Sequence, residues 1–199
     1  MNLPNKLTVL RIILTPIFML TLVWEFPFHY LVSLLIFIAA SITDLLDGKI
    51  ARARGLVTDF GKFLDPLADK MLTTAAFLGF IALDIGYGAV WVAFIVLFRE
   101  FMVSSIRLIA STSGGKVIAA NIWGKLKTVF QMIAIIFALT AEELVEILAK
   151  VGVNENMVNI IDSVLGIATS VLLWISAALC VISGVIYLID NKDFVSQTK

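Results

Sequence analysis

Six apolar stretches, at about 7–24, 30–43, 67–83, 87–110, 118–140 and 161–188, decide most of what this chain can become. A hydrocarbon layer about 30 Å thick is crossed by about 20 helical residues, and each stretch is close to that length or reaches it with one more polar turn. Six crossings use roughly 120 residues of the 199 in the chain. The remainder makes short loops and leaves no room for a separate soluble catalytic domain. With 60% hydrophobic residues and a mean hydropathy of +1.02, a soluble enzyme is ruled out. The expectation is an all-α polytopic membrane protein with six transmembrane helices, a single domain over residues 1–199. The first stretch reads as a retained span, because Arg11 and Pro16 interrupt it and the bulky Trp24-Glu25-Phe26-Pro27 follows where small residues would mark cleavage. Cys180, the one cysteine, sits in an apolar run and cannot form a disulfide within the chain.

Fifteen Lys and Arg balance fifteen Asp and Glu, so net charge gives no reason to expect a nucleic-acid partner. Their distribution says more. Threading six spans places every cation except Lys150 on one side, 14 against 1. The positive-inside rule then assigns both termini, the helix 2 to 3 connection and the helix 4 to 5 connection to the cytoplasm of a cell membrane. On the other side, Glu142, Glu143, Glu146 and Lys150 read as a solvated interfacial face. His29 falls in the first outer loop, away from any chemistry, and Trp24 and Trp91 read as interfacial anchors.

The connection between helices 2 and 3 holds an unusual set of acids. Arg52 and Arg54 suit a last helical turn and Gly55 the position just past it, so helix 2 is expected over Tyr30–Arg54. Those residues span roughly 37 Å, and the excess over the bilayer core projects into the cytoplasm. Helix 3 is expected to start between Thr58 and Pro66, with Pro66 in its first turn. Asp44 and Asp47 are spaced i,i+3 and Asp65 and Asp69 i,i+4, so each pair lies on one helical face. Gly48, Ala51 and Gly61 on these faces permit close approach of a backbone or a ligand. Carboxylates are costly near a bilayer and repel one another. With no histidine or cysteine among them, the set fits two hard divalent cations, Mg²⁺ or Mn²⁺, able to clamp a diphosphate. The competing reading, acids merely solvated or paired with Lys49, Arg52, Lys62 and Lys70, gives no reason for matched helical spacings.

Written out, Asp44-x2-Asp47-Gly48-x2-Ala51-Arg52-x8-Gly61-x3-Asp65-x3-Asp69 resembles the signature of the CDP-alcohol phosphatidyltransferase family at every fixed position. The flanking Pro4-Asn5-x-Leu7-Thr8-x2-Arg11 and Gly124-Lys125-x-Lys127-Thr128, followed by Gln131, resemble the branch that takes glycerol 3-phosphate as acceptor. The resemblance implies a six-helix CDP-alcohol phosphotransferase fold, homodimerisation in membrane lipid, and transfer of a phosphatidyl group from CDP-diacylglycerol to an alcohol with release of CMP. It also implies roles: Asp44, Asp47, Asp65 and Asp69 as ligands of two Mg²⁺ or Mn²⁺ ions, and Asp69 in addition as catalytic base. Arg52 would hold the diphosphate, with Gly48, Ala51 and Gly61 lining the nucleotide pocket.

Choice of acceptor falls to cations on helices 4 and 5. Arg99, Arg107, Lys116, Lys125 and Lys127 all approach the cytoplasmic side and favour an acceptor that bears a phosphate. Glycerol 3-phosphate or an inositol phosphate fits better than free serine, choline or ethanolamine, with inositol phosphate, inositol or serine as the alternative acceptors. Arg107, Lys116 and Lys127 are the foremost candidates for holding that phosphate. Arg11, Thr8 and Asn5 read either as part of a headgroup rim or as a helix cap with a snorkelling arginine. Glu100 reads as a buried polar partner or as support behind the site. Two other classes also use clustered acids: an intramembrane prenyltransferase, and a cation transporter, which would need polar groups reaching the outer side.

Overall fold

Every regular element among the described residues is an α-helix. The structure, a computed structural model, describes residues 2–54, 59–112 and 122–191; it gives the backbone alone for Leu3, Pro4, 45–54, 59–63, Asp65, Pro66, Asp69 and 108–112. The six helices are α1 (Leu3–Val23), α2 (His29–Arg54), α3 (Asp59–Ala82), α4 (Ala89–Thr112), α5 (Ile122–Lys150) and α6 (Glu155–Asp190). Asn2 caps α1 by accepting the Asn5 N–H at 3.1 Å, and Pro4 sits in the first turn, where its missing N–H costs nothing. Pro16 lies within α1 without ending it.

The bounds of α2 agree with the sequence expectation to one residue. α3 begins inside the expected window, at Asp59, but Pro66 then falls beyond its first turn. α5 runs on to Lys150, so the acidic stretch expected as a separate interfacial face is the end of this helix. Within it Glu143 is buried, which corrects the reading of that residue as solvated. Its Oε2 accepts the Leu31 N–H at 2.9 Å, one of the orphan donors of the first turn of α2. A carboxylate there also meets the positive end of the helix dipole. His29, at the start of the same helix, is buried with Nδ1 3.1 Å from the Leu22 carbonyl oxygen.

Stretches of α1, α4 and α6 are long and apolar enough to cross a membrane, over Asn5–Val23, Ala89–Arg107 and Glu155–Asp190. α2 and α3 contribute shorter apolar segments, His29–Asp44 and Lys70–Ala82. Large side chains such as Trp91, Phe94, Phe98 and Phe101 of α4 point outward. An outer surface of this kind belongs in lipid, and the protein is an integral membrane protein.

α1 packs against α2 and α3, α5 packs against α6 and α2, and α4 bridges α3 and α6. Phe18, Leu22, Phe37, Phe77, Phe80, Ile135, Leu139 and Leu173 fill the shared core. Gly79 allows α1 to approach α3, since a β-carbon there would collide with the Leu22 side chain. The turn into α4 uses Gly86 and Gly88 at φ +80° and +74°. This packing brings the end of α2, the start of α3 and the start of α5 to one end of the bundle.

Candidate active site

At that end, α2 delivers Asp44 into a cavity of about 350 Å³ bounded by α1, α2, α3 and α5. Ala40, Ser41 and Asp44 form its α2 wall, and Leu72 and Thr73 its α3 wall. Met132, Ile133 and Ile136 of α5 close it with aliphatic surface, and Arg11 of α1 completes the polar end beside Asp44. The motif positions extend both walls. Asp47 and Gly48 continue the stripe of Ala40, Ser41 and Asp44 by one turn, and Asp65 and Asp69 precede Leu72 and Thr73 on the corresponding stripe of α3. The backbone register of α2 and α3 therefore sets all four aspartate positions along the two helix faces that frame one cavity. The side chains of Asp47, Gly48, Ala51, Arg52, Gly61, Asp65 and Asp69 lie outside the described residues, as does Lys116 entirely.

Arg11 is the polar residue the sequence placed least well. Its side chain is only 2% exposed, and Nη1 stands 2.5 Å from Asp44 Oδ1, whose own side chain is 42% exposed. It does not snorkel. The guanidinium crosses from α1 to hold the first acid of the motif, while Thr15 closes the turn above by donating to the Arg11 carbonyl at 2.9 Å. A cation in the middle of an apolar helix is the signal that announces such a role, since an unpaired charge there is expensive.

A second polar cluster lies where α3, α4, α5 and α6 meet. Glu100 of α4 receives the ammonium of Lys127 in a short ion pair and the Arg99 guanidinium at 3.2 Å, with Lys70 of α3 at 3.9 Å. Lys70 also bonds the Ser104 hydroxyl and lies 3.3 Å from the Glu100 carbonyl oxygen. Arg99 donates from Nη2 to Ser183 of α6 at 2.6 Å. Gly184 makes this reach possible: a β-carbon would stand 3.2 Å from the Arg99 side chain. Glu100 is thus the buried polar partner that its neighbour Arg99 suggested. Of the residues expected to hold an acceptor, Lys127 is buried in this cluster, and Arg107 is exposed on α4, on the stripe that carries Glu100 and Ser104. Lys125 is exposed. The part of Lys70, which directly follows Asp69, was not anticipated from the sequence.

Arg11 on Asp44 at the polar end of the cavity, and the cation cluster around Glu100, set charged groups beside an apolar wall. The CDP-alcohol phosphatidyltransferase family model matches residues 1–189. The chain belongs to this family. Among curated relatives it is similar to the CDP-diacylglycerol–glycerol-3-phosphate 3-phosphatidyltransferase of Rickettsia bellii, 34% identical over 97% of both chains. The enzyme of that name from Bacillus subtilis is 43% identical over 67% of this chain and 74% of its own. That of Pseudomonas fluorescens is 36% identical over 70% and 72%. In this CDP-alcohol phosphatidyltransferase, the first acid of the motif, Asp44, lines the cavity described above.

Proposed function

We propose that this enzyme transfers the phosphatidyl group of CDP-diacylglycerol to glycerol 3-phosphate, giving phosphatidylglycerophosphate and CMP. The observation that carries the reading is Asp44 beside Arg11 at the polar end of a largely apolar cavity, with the other motif positions in helical register with its α2 and α3 walls. An amphiphile with a charged diphosphate and hydrocarbon tails matches such a cavity, its tails against Met132, Ile133 and Ile136 and its diphosphate at the aspartate end.

The hydroxyl oxygen of the acceptor forms a bond to the β-phosphorus of the donor as the bond from that phosphorus to the CMP oxygen breaks. Asp69 takes the hydroxyl proton. An ordinary carboxylate is a weak base toward an alcohol, so Asp69 acts with help from its surroundings. The donor set of Asp44, Asp47, Asp65 and Asp69 is all hard oxygen, which fits Mg²⁺ or Mn²⁺. When bound, two such ions supply charge neutralisation at the diphosphate and a more acidic hydroxyl. Arg52 steadies the diphosphate, Gly48, Ala51 and Gly61 leave space for the nucleotide, and Arg11 fixes Asp44. Arg107, Lys116 and Lys127 receive the acceptor phosphate. All six helices cross the membrane, both termini and the site face the cytoplasm, and the enzyme works as a homodimer in the cell membrane.

The test is a panel of acceptors with the purified enzyme, following CMP release from CDP-diacylglycerol. Glycerol 3-phosphate is expected to be used in preference to inositol phosphate, inositol, serine and choline. Preference for an acceptor without phosphate would overturn the assignment, and CMP release from none of them would remove the reaction.

A further inference from the structure

Glu100 contacts three cations, and those cations come from three helices: Lys70 from α3, Arg99 from α4 and Lys127 from α5. Their side chains are 27%, 11% and 7% exposed, and that of Glu100 is 16% exposed. At such burial, charges interact far more strongly than in water. Three cations gathered there with no anion would repel one another and swing apart. One carboxylate lets them coexist, and an ammonium it holds by one hydrogen can still donate to a phosphate monoester of charge about −1.5 to −2. The cluster also adjoins, along the chain, both sets of candidate residues. Lys70 follows Asp69 of the acid motif, and Lys127 is the buried member of the proposed acceptor set. Ser104 and Ser183 hold the outer cations from α4 and α6, so Lys127 has Glu100 as its described ionic anchor.

We infer that Glu100 is a positioning residue for the acceptor: it aims the Lys127 ammonium, and the cation cluster around it, at the phosphate of the incoming alcohol. This rests on the proposed reaction, and adds to it a residue that touches neither substrate. Glu100 holds Lys127 through one of the three ammonium hydrogens, which leaves the others for the acceptor phosphate.

The test uses the full-length enzyme in detergent with CDP-diacylglycerol and glycerol 3-phosphate, measuring the KM of each substrate separately. Glu100→Gln is expected to raise the acceptor KM by about tenfold and to leave the donor KM within about twofold. Lys127→Met is expected to do the same. Because Glu100 acts through Lys127, adding Glu100→Gln to Lys127→Met should change the acceptor KM by less than about twofold. An unchanged or lowered acceptor KM in Glu100→Gln overturns the inference, as does an effect that persists in full when Lys127 is already replaced. If Lys127→Met itself leaves the acceptor KM alone, the acceptor assignment fails first and the inference with it. Should Glu100→Gln not yield folded enzyme, Glu100→Asp takes its place; it keeps the charge but withdraws it by one methylene. It is expected to raise the acceptor KM to a lesser degree, and no rise would again overturn the role.

Discussion

A guanidinium with 2% of its side chain exposed cannot be an ornament of the membrane surface, and Arg11 ends 2.5 Å from the first aspartate of the signature. Removing it leaves Asp44 without that cation and leaves a hole in the core of α1. Arg11→Met is therefore expected to lower CMP release by tenfold or more, about 1.4 kcal/mol or more in transition-state stabilisation. Arg11→Lys should recover only part of it, because an ammonium does not reproduce the fork of a guanidinium. Activity measured on monodisperse protein decides this, and wild-type rates in Arg11→Met would reduce the pair to packing. At this scale the sequence was legible where chemistry repeats at helical intervals, as in Asp44-x2-Asp47 and Asp65-x3-Asp69. It was silent where partners meet only through the fold. Nothing in the spacing of Arg11 and Asp44, or of Lys70, Glu100 and Lys127, announces that α1 meets α2 or that α3, α4 and α5 converge.

The helices themselves were readable because each apolar stretch carries its own length, and α2 ends at Arg54 as its last cations indicated. Where expectation and structure part, the cause is tertiary. Pro66 was expected in a first turn, yet α3 starts earlier, at Asp59. The stretch of Glu142, Glu143 and Glu146 is polar in isolation and was expected to face water. Glu143 instead turns inward, because the start of α2 presents an N–H that has no partner in its own helix. Glu143→Ala removes the charged acceptor of that part-buried N–H at a cost of about 1.5–3 kcal/mol and should lower the thermal midpoint in detergent by several degrees. Glu143→Gln keeps an acceptor oxygen and should lose much less. Equal midpoints for wild type and Glu143→Ala would mean that the contact does not anchor α2.

At the scale of the whole molecule, the described cations Lys6, Arg11, Lys70, Arg99, Arg107, Lys125 and Lys127 fall toward the end of the bundle where the motif helices meet, while α5 closes its opposite end with the Glu146 to Lys150 pair at 2.5 Å. That asymmetry predicts a fixed orientation. In a Cys180→Ala background, a membrane-impermeant maleimide added to intact cells should label Asn154→Cys, in the α5 to α6 turn, and not Lys6→Cys. The reverse pattern would invert the topology and put the site outside. Everything proposed about catalysis rests on the two motif stripes of α2 and α3 holding divalent ions jointly. A titration of Mn²⁺ against purified enzyme with CDP-diacylglycerol, followed by electron paramagnetic resonance, addresses this without relying on turnover. About two bound ions per chain are expected, with binding lost or much weakened in both Asp47→Asn on α2 and Asp65→Asn on α3. Wild-type Mn²⁺ binding in both variants would contradict joint binding by the two stripes.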